Sequence, residues 1–321
     1  MKRVAAFLPL LLIAVPFVVR NPYILHMLVL ALLWVLLGQS WNLLGGFTGQ
    51  VSFGHAAFFG VGAYTTGILV KSGWSPAAAW GGLLLGGLTA ATLAAFIGWI
   101  CFRLRGPYFA LSTLALAEVL RLVAVNWKGL TNGAEGILFI PAFNQKAAYY
   151  LIALALVGIN FVVVKWVMSS KLGFYFLAVR EDQDAAESLG IDTTKYKLAA
   201  LLISAFFTGV GGAFYMSYMC FIDPGIVFSV SAISVMMILV TMLGGAATYW
   251  GPAVGAGIYI LVSELMRVYI PQGHLIVFGL LIIVIIIFLP NGVVGAWNDA
   301  RAKKRRKAAA DAAEPARAVA S

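Results

Sequence analysis

Charge is scarce in this chain. Only 11% of its 321 residues are Asp, Glu, Lys or Arg, and twelve are acids. A soluble domain carries about a quarter charged residues, so with 62% apolar residues and a mean hydropathy of +0.95 a water-soluble fold is excluded. No glycine-rich loop ending in Gly-Lys-Ser/Thr occurs, which excludes ATP binding in the P-loop manner. His26, His55 and His274 are scattered without metal-ligand spacing, so no metal site is expected. Cys101 and Cys220 lack the pair spacing of redox or metal work and read as packing residues. No Ser/His/Asp set and no paired-carboxylate site suggests catalysis, so an enzyme is not expected. Strand alternation is also missing, which argues against an outer-membrane barrel.

What remains is a succession of apolar runs, each of about 17–25 residues, the length that carries a helix across roughly 30 Å of hydrocarbon. The sequence predicts an all-α polytopic membrane protein with spans near 4–20, 23–44, 50–70, 77–101, 107–126, 147–168, 197–219, 229–244, 252–270 and 273–290. The basic start, Met1-Lys2-Arg3, resembles the head of a signal peptide, but no small-residue cleavage site follows, so residues 4–20 are expected to stay as a span. Residues 1–297 form one membrane domain, and the basic, alanine-rich tail 298–321 reads as a disordered topology anchor touching surface lipid.

With ten spans both termini share one side. Placing that side in the cytoplasm puts sixteen basic residues inside and six outside, as the positive-inside rule requires. The net charge of +10 follows from this asymmetry rather than from a nucleic-acid surface.

Between Lys171 and Lys197 the membrane pattern stops. Five of the twelve acids, Glu181, Asp182, Asp184, Glu187 and Asp192, cluster there. Asp182 and Asp184 suit a first helical turn, Gly190 a C-terminal stop, and Asp192 the N-cap of the next helix. A short polar helix on the cytoplasmic side, gripped by a soluble partner, is the expectation.

Sliding the chain by 176 residues brings Gly49, Val51, Ala56, Trp74, Pro76, Ala77, Gly81 and Leu85 onto Gly225, Val227, Ala232, Trp250, Pro252, Ala253, Gly257 and Leu261. Five spans per half implies two inverted repeats, with glycine-interrupted spans at equivalent places lining a passage. Gln50, Ser52, His55, Tyr64, Thr65 and Thr66, with Gln39 and Asn42, could hydrogen-bond a solute there or bond neighbouring helices. Glu118 and Glu264 each precede an arginine, Arg121 and Arg267, by three residues, a spacing that places each pair on one helix face. Intramembrane charge suggests a pathway role, although both arginines could snorkel to an interface.

Four stretches carry a resemblance: GGFTGQVSFGHAAFFGVGAY (Gly45–Tyr64), RGPYFALSTLALAEVLRLV (Arg105–Val123), AVREDQDAAESLGID (Ala178–Asp192) and LGGAATYWGPAVGA (Leu243–Ala256). In this order they resemble the LivM-type permease of bacterial ABC importers for branched-chain amino acids, across about residues 25–297. The resemblance implies a bacterial inner-membrane subunit paired with a LivH-type permease, two cytoplasmic ATPases that hold ATP and Mg, and a periplasmic solute-binding protein. It implies that Arg180, Glu181, Asp182, Asp184, Ala186, Glu187 and Gly190 form the coupling helix docking on an ATPase. Related permeases carry urea, short amides or aromatic acids, and the motifs do not separate those cargoes. A secondary transporter using Glu118 or Glu264 as an ion site is the rival reading.

Overall fold

The computed structural model describes residues 12–19, 21–73, 75, 80–138, 141, 143, 145–269, 279, 292–298 and 301. Asn21 opens the first long helix: its side chain accepts from the Tyr23 amide at 2.9 Å, and Pro22 takes the first helical position, where no amide is needed. That helix, α1 (Pro22–Trp41), loosens into a π-turn over Asn42–Gly46. An irregular stretch follows before α2 (His55–Lys71). Next come α3 (Gly81–Cys101), α4 (Pro107–Asn126), α5 (Lys128–Thr131), β1 (Ile137–Leu138) and α6 (Lys146–Ser169). The polar stretch forms α7 (Lys171–Glu181) and α8 (Gln183–Ser188). The second half holds α9 (Thr193–Met219), β2 (Phe221–Ile222), α10 (Pro224–Val227), a π-turn over Val230–Val235, α11 (Met236–Gly244) and α12 (Gly251–Tyr269).

Six helices among the described residues are long and apolar enough to cross a membrane. The protein is a polytopic all-α membrane protein. The expected spans at 4–20 and 273–290 lie outside the described residues, apart from a helical stretch over 12–18 and residue 279. The tail 298–321 lies outside them as well, save residues 298 and 301. Two expectations need correction. The span foreseen over 50–70 is helical only from His55, because Gly49 adopts φ 72° and Gly54 ends the irregular run. The polar stretch is two helices, not one. Asp182 sits extended between them, and its carboxylate accepts from the Ala185 amide at 3.0 Å to start α8.

Packing interlocks the two halves. The long helix of the second half, α9, lies against α2 and α3 of the first, while α1 of the first half lies against α11 and α12 of the second. In both halves a long helix is followed by an irregular segment, a shorter helix and a longer one, the order that the 176-residue repeat calls for. Helices in lipid gain little from burying apolar surface, so close backbone contact has to hold them. Glycine allows it here. A Cβ on Gly62 would fall on the Gly209 carbonyl, and one on Gly212 would fall on the carbonyl of Phe59.

The loops sort onto two faces. On one, Lys71 donates to the carbonyl of Gly129 at 2.9 Å and to Asn132 at 2.6 Å, and β1 pairs with β2 through Ile137 and Ile222. On the other, the loop before α4 meets α8, and Gly49 lies against Arg180. Span counting assigns these same segments to the same sides.

Leucine in place of Gly62 should lower the thermal midpoint of the detergent-solubilised protein, at a cost of about 1–3 kcal/mol or outright loss of folded material, because α2 and α9 must separate. Gly158 in α6 has open space around its Cα, so Gly158→Ala should be neutral or stabilising by up to about 1 kcal/mol. Equal midpoints for the two variants would contradict the glycine seam.

Candidate functional site

The short polar helix α8 is tied to the bundle at both ends. Arg105, in the turn between α3 and α4, places Nη1 2.6 Å from Asp184 Oδ1 and Nη2 3.0 Å from Glu187 Oε2. The planar guanidinium fork suits such a two-carboxylate grip. The Asp184 hydrogen bond, with the Glu187 charge behind it, pushes the Arg105 guanidinium above its already high ordinary value. Beneath the helix, fully buried Lys197 donates to Gln183 Oε1 at 3.2 Å and lies 5.4 Å from the Phe102 ring centre. Ala186 is buried against the bundle. Gly190, at φ 80°, turns the chain so that its amide meets the Glu187 carbonyl at 2.9 Å, and Asp192 caps α9 through the Lys195 amide at 3.0 Å.

Glu187 is the hub of this arrangement. Its Oε1 accepts from the Thr193 hydroxyl at 2.5 Å and from Gln183 Nε2 at 3.0 Å. The Thr193 hydrogen bond first, then that of Gln183, and then the Arg105 and Lys197 charges hold its carboxyl below the ordinary value. Of the seven residues expected to grip a partner, Asp184 and Glu187 are thus engaged within the chain. Arg180, Glu181 and Asp182 remain exposed, and Leu189 beside them is 81% exposed.

The residues expected along a passage divide. Ser52 and His55 are fully buried and form part of a hydrogen-bonded core: His55 reaches Ser52 Oγ at 3.2 Å through Nδ1 and Ser204 Oγ at 2.8 Å through Nε2. Ser204 donates onward to the Ser40 carbonyl at 2.6 Å. Asn42 bridges the repeats, accepting from the Ala247 amide at 2.8 Å and donating to the Thr248 carbonyl at 3.0 Å. Thr65 meets Thr89 at 2.8 Å, and Tyr64 stacks on Phe228. The Tyr64 hydroxyl, Thr66 Oγ1 and Gln39 Nε2 are buried without a hydrogen-bond partner. Gln50 is half-buried.

Glu118 stands apart from that core. Arg121 Nη2 lies 2.5 Å from Glu118 Oε1, and the two flank a cleft of about 560 Å³ between α4 and the segment 225–235. Glu264 accepts from the Tyr23 hydroxyl and lies 3.9 Å from Arg267. Among the described residues no cluster of His, Cys, Asp or Glu suits a metal ion.

Sequence reasoning missed Arg105, Lys197 and Leu189. Arg105 counted only as a topological charge, and its place in the second motif was the signal that could have found it.

Glu187 fixes a pH dependence. Its folded value is depressed, so its contribution is present above the unfolded value, about 4.3, and is lost as pH falls through the lower folded value. Thr193→Val should move its titration upward toward the ordinary value. A ¹³C titration of glutamate-labelled protein, assigned with Glu187→Gln, reads this, and an unmoved titration would remove Thr193 from the account.

The permease family described as "branched-chain amino acid transport system / permease component" matches residues 23–286. The high-affinity branched-chain amino acid transport system permease protein LivM of Salmonella typhimurium is 28% identical, over 91% of this chain and 75% of that protein. LivM of Escherichia coli K12 is also 28% identical, over 88% and 72%. The corresponding LivH protein of Escherichia coli K12 is 21% identical, over 82% and 91%. No solved structure matches the chain. The match over most of the length, on a helical frame with this packing, makes the chain a member of the branched-chain amino acid permease family, a transport subunit and not an enzyme by itself.

Proposed function

We propose that this chain is one permease half of an ABC importer that takes up branched-chain amino acids across a bacterial inner membrane, with both termini cytoplasmic. A LivH-type permease forms the other half. The similarity to LivM and LivH proteins alike supports a pathway built from two related subunits. Two ATPase subunits supply the energy with ATP and Mg. A periplasmic solute-binding protein docks opposite them, on loops that include Trp127–Tyr150.

One observation carries the reading: α8 is held against the permease while residues on either side of it stay exposed. Arg105 and Lys197 fix its inner edge, while Glu181, Asp182 and Leu189 make no contact that would bury them. An exposed leucine beside acids is a poor surface for water and a good one for a basic, partly apolar groove on a soluble partner. Motion of that partner passes to the helices through the grip on Arg105 and through the contact of Arg180 with Gly49. Alternating access around the two broken segments then moves the solute.

Leu189→Asp combined with Glu181→Lys should cut ATPase copurification roughly tenfold, equivalent to about 1.4 kcal/mol of docking, at an unchanged membrane-inserted level. Full copurification would defeat the docking role. Proteoliposomes holding the whole complex should take up leucine, isoleucine and valine only with ATP. Preference for urea, short amides or aromatic acids would change the cargo and keep the machine. Uptake on a proton gradient without ATPases would favour the ion-coupled rival.

A further inference from the structure

The Glu118–Arg121 pair has a depth problem. Glu118 lies eleven residues from the start of α4 and eight from its end, about 16 Å and 12 Å along the axis at 1.5 Å per residue. Charge at such depth is costly against hydrocarbon. Arg121 does not relieve it by reaching for the nearer end. It folds back instead, with Nε 3.0 and 2.9 Å from the two carboxylate oxygens and Nη2 2.5 Å from Oε1. Even so, the side chains stay 46% and 31% exposed. Something polar must therefore cover them, and it must answer both signs at once.

The opposite wall of the cleft narrows the choice. Ser229 and Ser231 place their hydroxyls 3.2 Å apart there, in the segment that interrupts the second-half helix. Leu114 and Val230 supply aliphatic surface beside the charges. The volume, about 560 Å³, falls in the roughly 300–1,000 Å³ range of small-molecule sites. A cation, an anion, two hydroxyls and an aliphatic wall are the complement of a dipolar molecule with a branched apolar end.

We propose that this cleft binds the zwitterionic head of an aliphatic α-amino acid, Arg121 taking the carboxylate and Glu118 the ammonium. Each charge of the solute then replaces part of the internal pair, so the solute enters without stranding a charge in the membrane. Binding stays weak, because the internal pair re-forms when the solute leaves, and a transport site needs that reversibility. The proposal rests on the importer reading above.

The test uses the assembled complex and a diazirine-bearing leucine analogue, photo-crosslinked in the absence of the solute-binding protein. Crosslinks are expected on peptides spanning 114–121 or 229–235, with free leucine competing and isovaleramide, which lacks both charges, not competing. The double variant Glu118→Gln, Arg121→Gln leaves no lone charge behind and should raise the half-labelling concentration about tenfold. Glu118→Asp should restore most of the labelling. Labelling that maps elsewhere, or that the double variant leaves unchanged, overturns the proposal while ATP-driven leucine uptake by the wild type stands. Loss of the second permease from the double variant, with labelling per intact complex unchanged, identifies a subunit interface and overturns it too. A wild-type complex that moves no aliphatic amino acid with ATP sinks the importer reading, and this site with it.

Discussion

A helix that ends inside packed protein leaves backbone groups that no solvent can satisfy, and the protein has to supply partners for them. Asn42 meets that demand for both halves together. Its carboxamide sits at the π-turn ending α1 and bonds the backbone of Ala247 and Thr248, in the turn between α11 and α12. Gly46 must lack a side chain because the Asn42 carboxamide fills that space. Trp41 adds a bond from its indole to the Ser52 carbonyl at 2.9 Å, and Ser234 accepts the Ala56 amide at 2.8 Å. Each break is thus stabilised by residues of the other half or of the adjoining helix. The glycines that look permissive in the sequence are held in place by their neighbours.

That rigidity gives the remaining parts something to move against. α8 hangs on Arg105, and Gly106, at φ 55°, separates that residue from Pro107, the first residue of α4. In the proposed coupling role, a displacement of the polar helix would reach the start of α4, which bears Glu118 and Arg121 farther along. A second connection runs from Arg180 to Gly49 and so to the irregular entry of α2, whose Phe53 amide also meets Thr113 of α4 at 3.2 Å. Both connections converge on the helix that walls the cleft. An exposed ion pair adds little stability by itself; the two-carboxylate grip instead fixes where α8 sits relative to the start of α4.

Much of the frame was legible because membranes impose a simple grammar. Long apolar runs gave α3, α4, α6 and α12 within a few residues, since an apolar stretch of that length has few other options. Asp192 as a cap and Gly190 as a stop were legible for local reasons. The break before His55 was misjudged because hydropathy averages over glycine and serine and is blind to φ. The fates of Asp184, Glu187 and His55 were illegible for a different reason. Their partners, Arg105, Thr193 and Ser204, are distant in sequence or lie across a turn, and residue type alone cannot say whether a carboxylate faces a stranger or its own chain.

The crossed arrangement of the halves also governs how the molecule is made. α1 leaves the ribosome roughly 200 residues before the helices α11 and α12 that it packs against. At about 5–20 residues per second of synthesis, it waits some tens of seconds in the bilayer with its contact face unfilled. Asn42 lacks its later partners, the backbone of Ala247 and Thr248, for the whole interval. Biogenesis therefore needs either lateral shelter beside the insertion channel or a temporary helix–helix liaison, and a chain truncated before residue 236 should be an early target for membrane quality-control proteases.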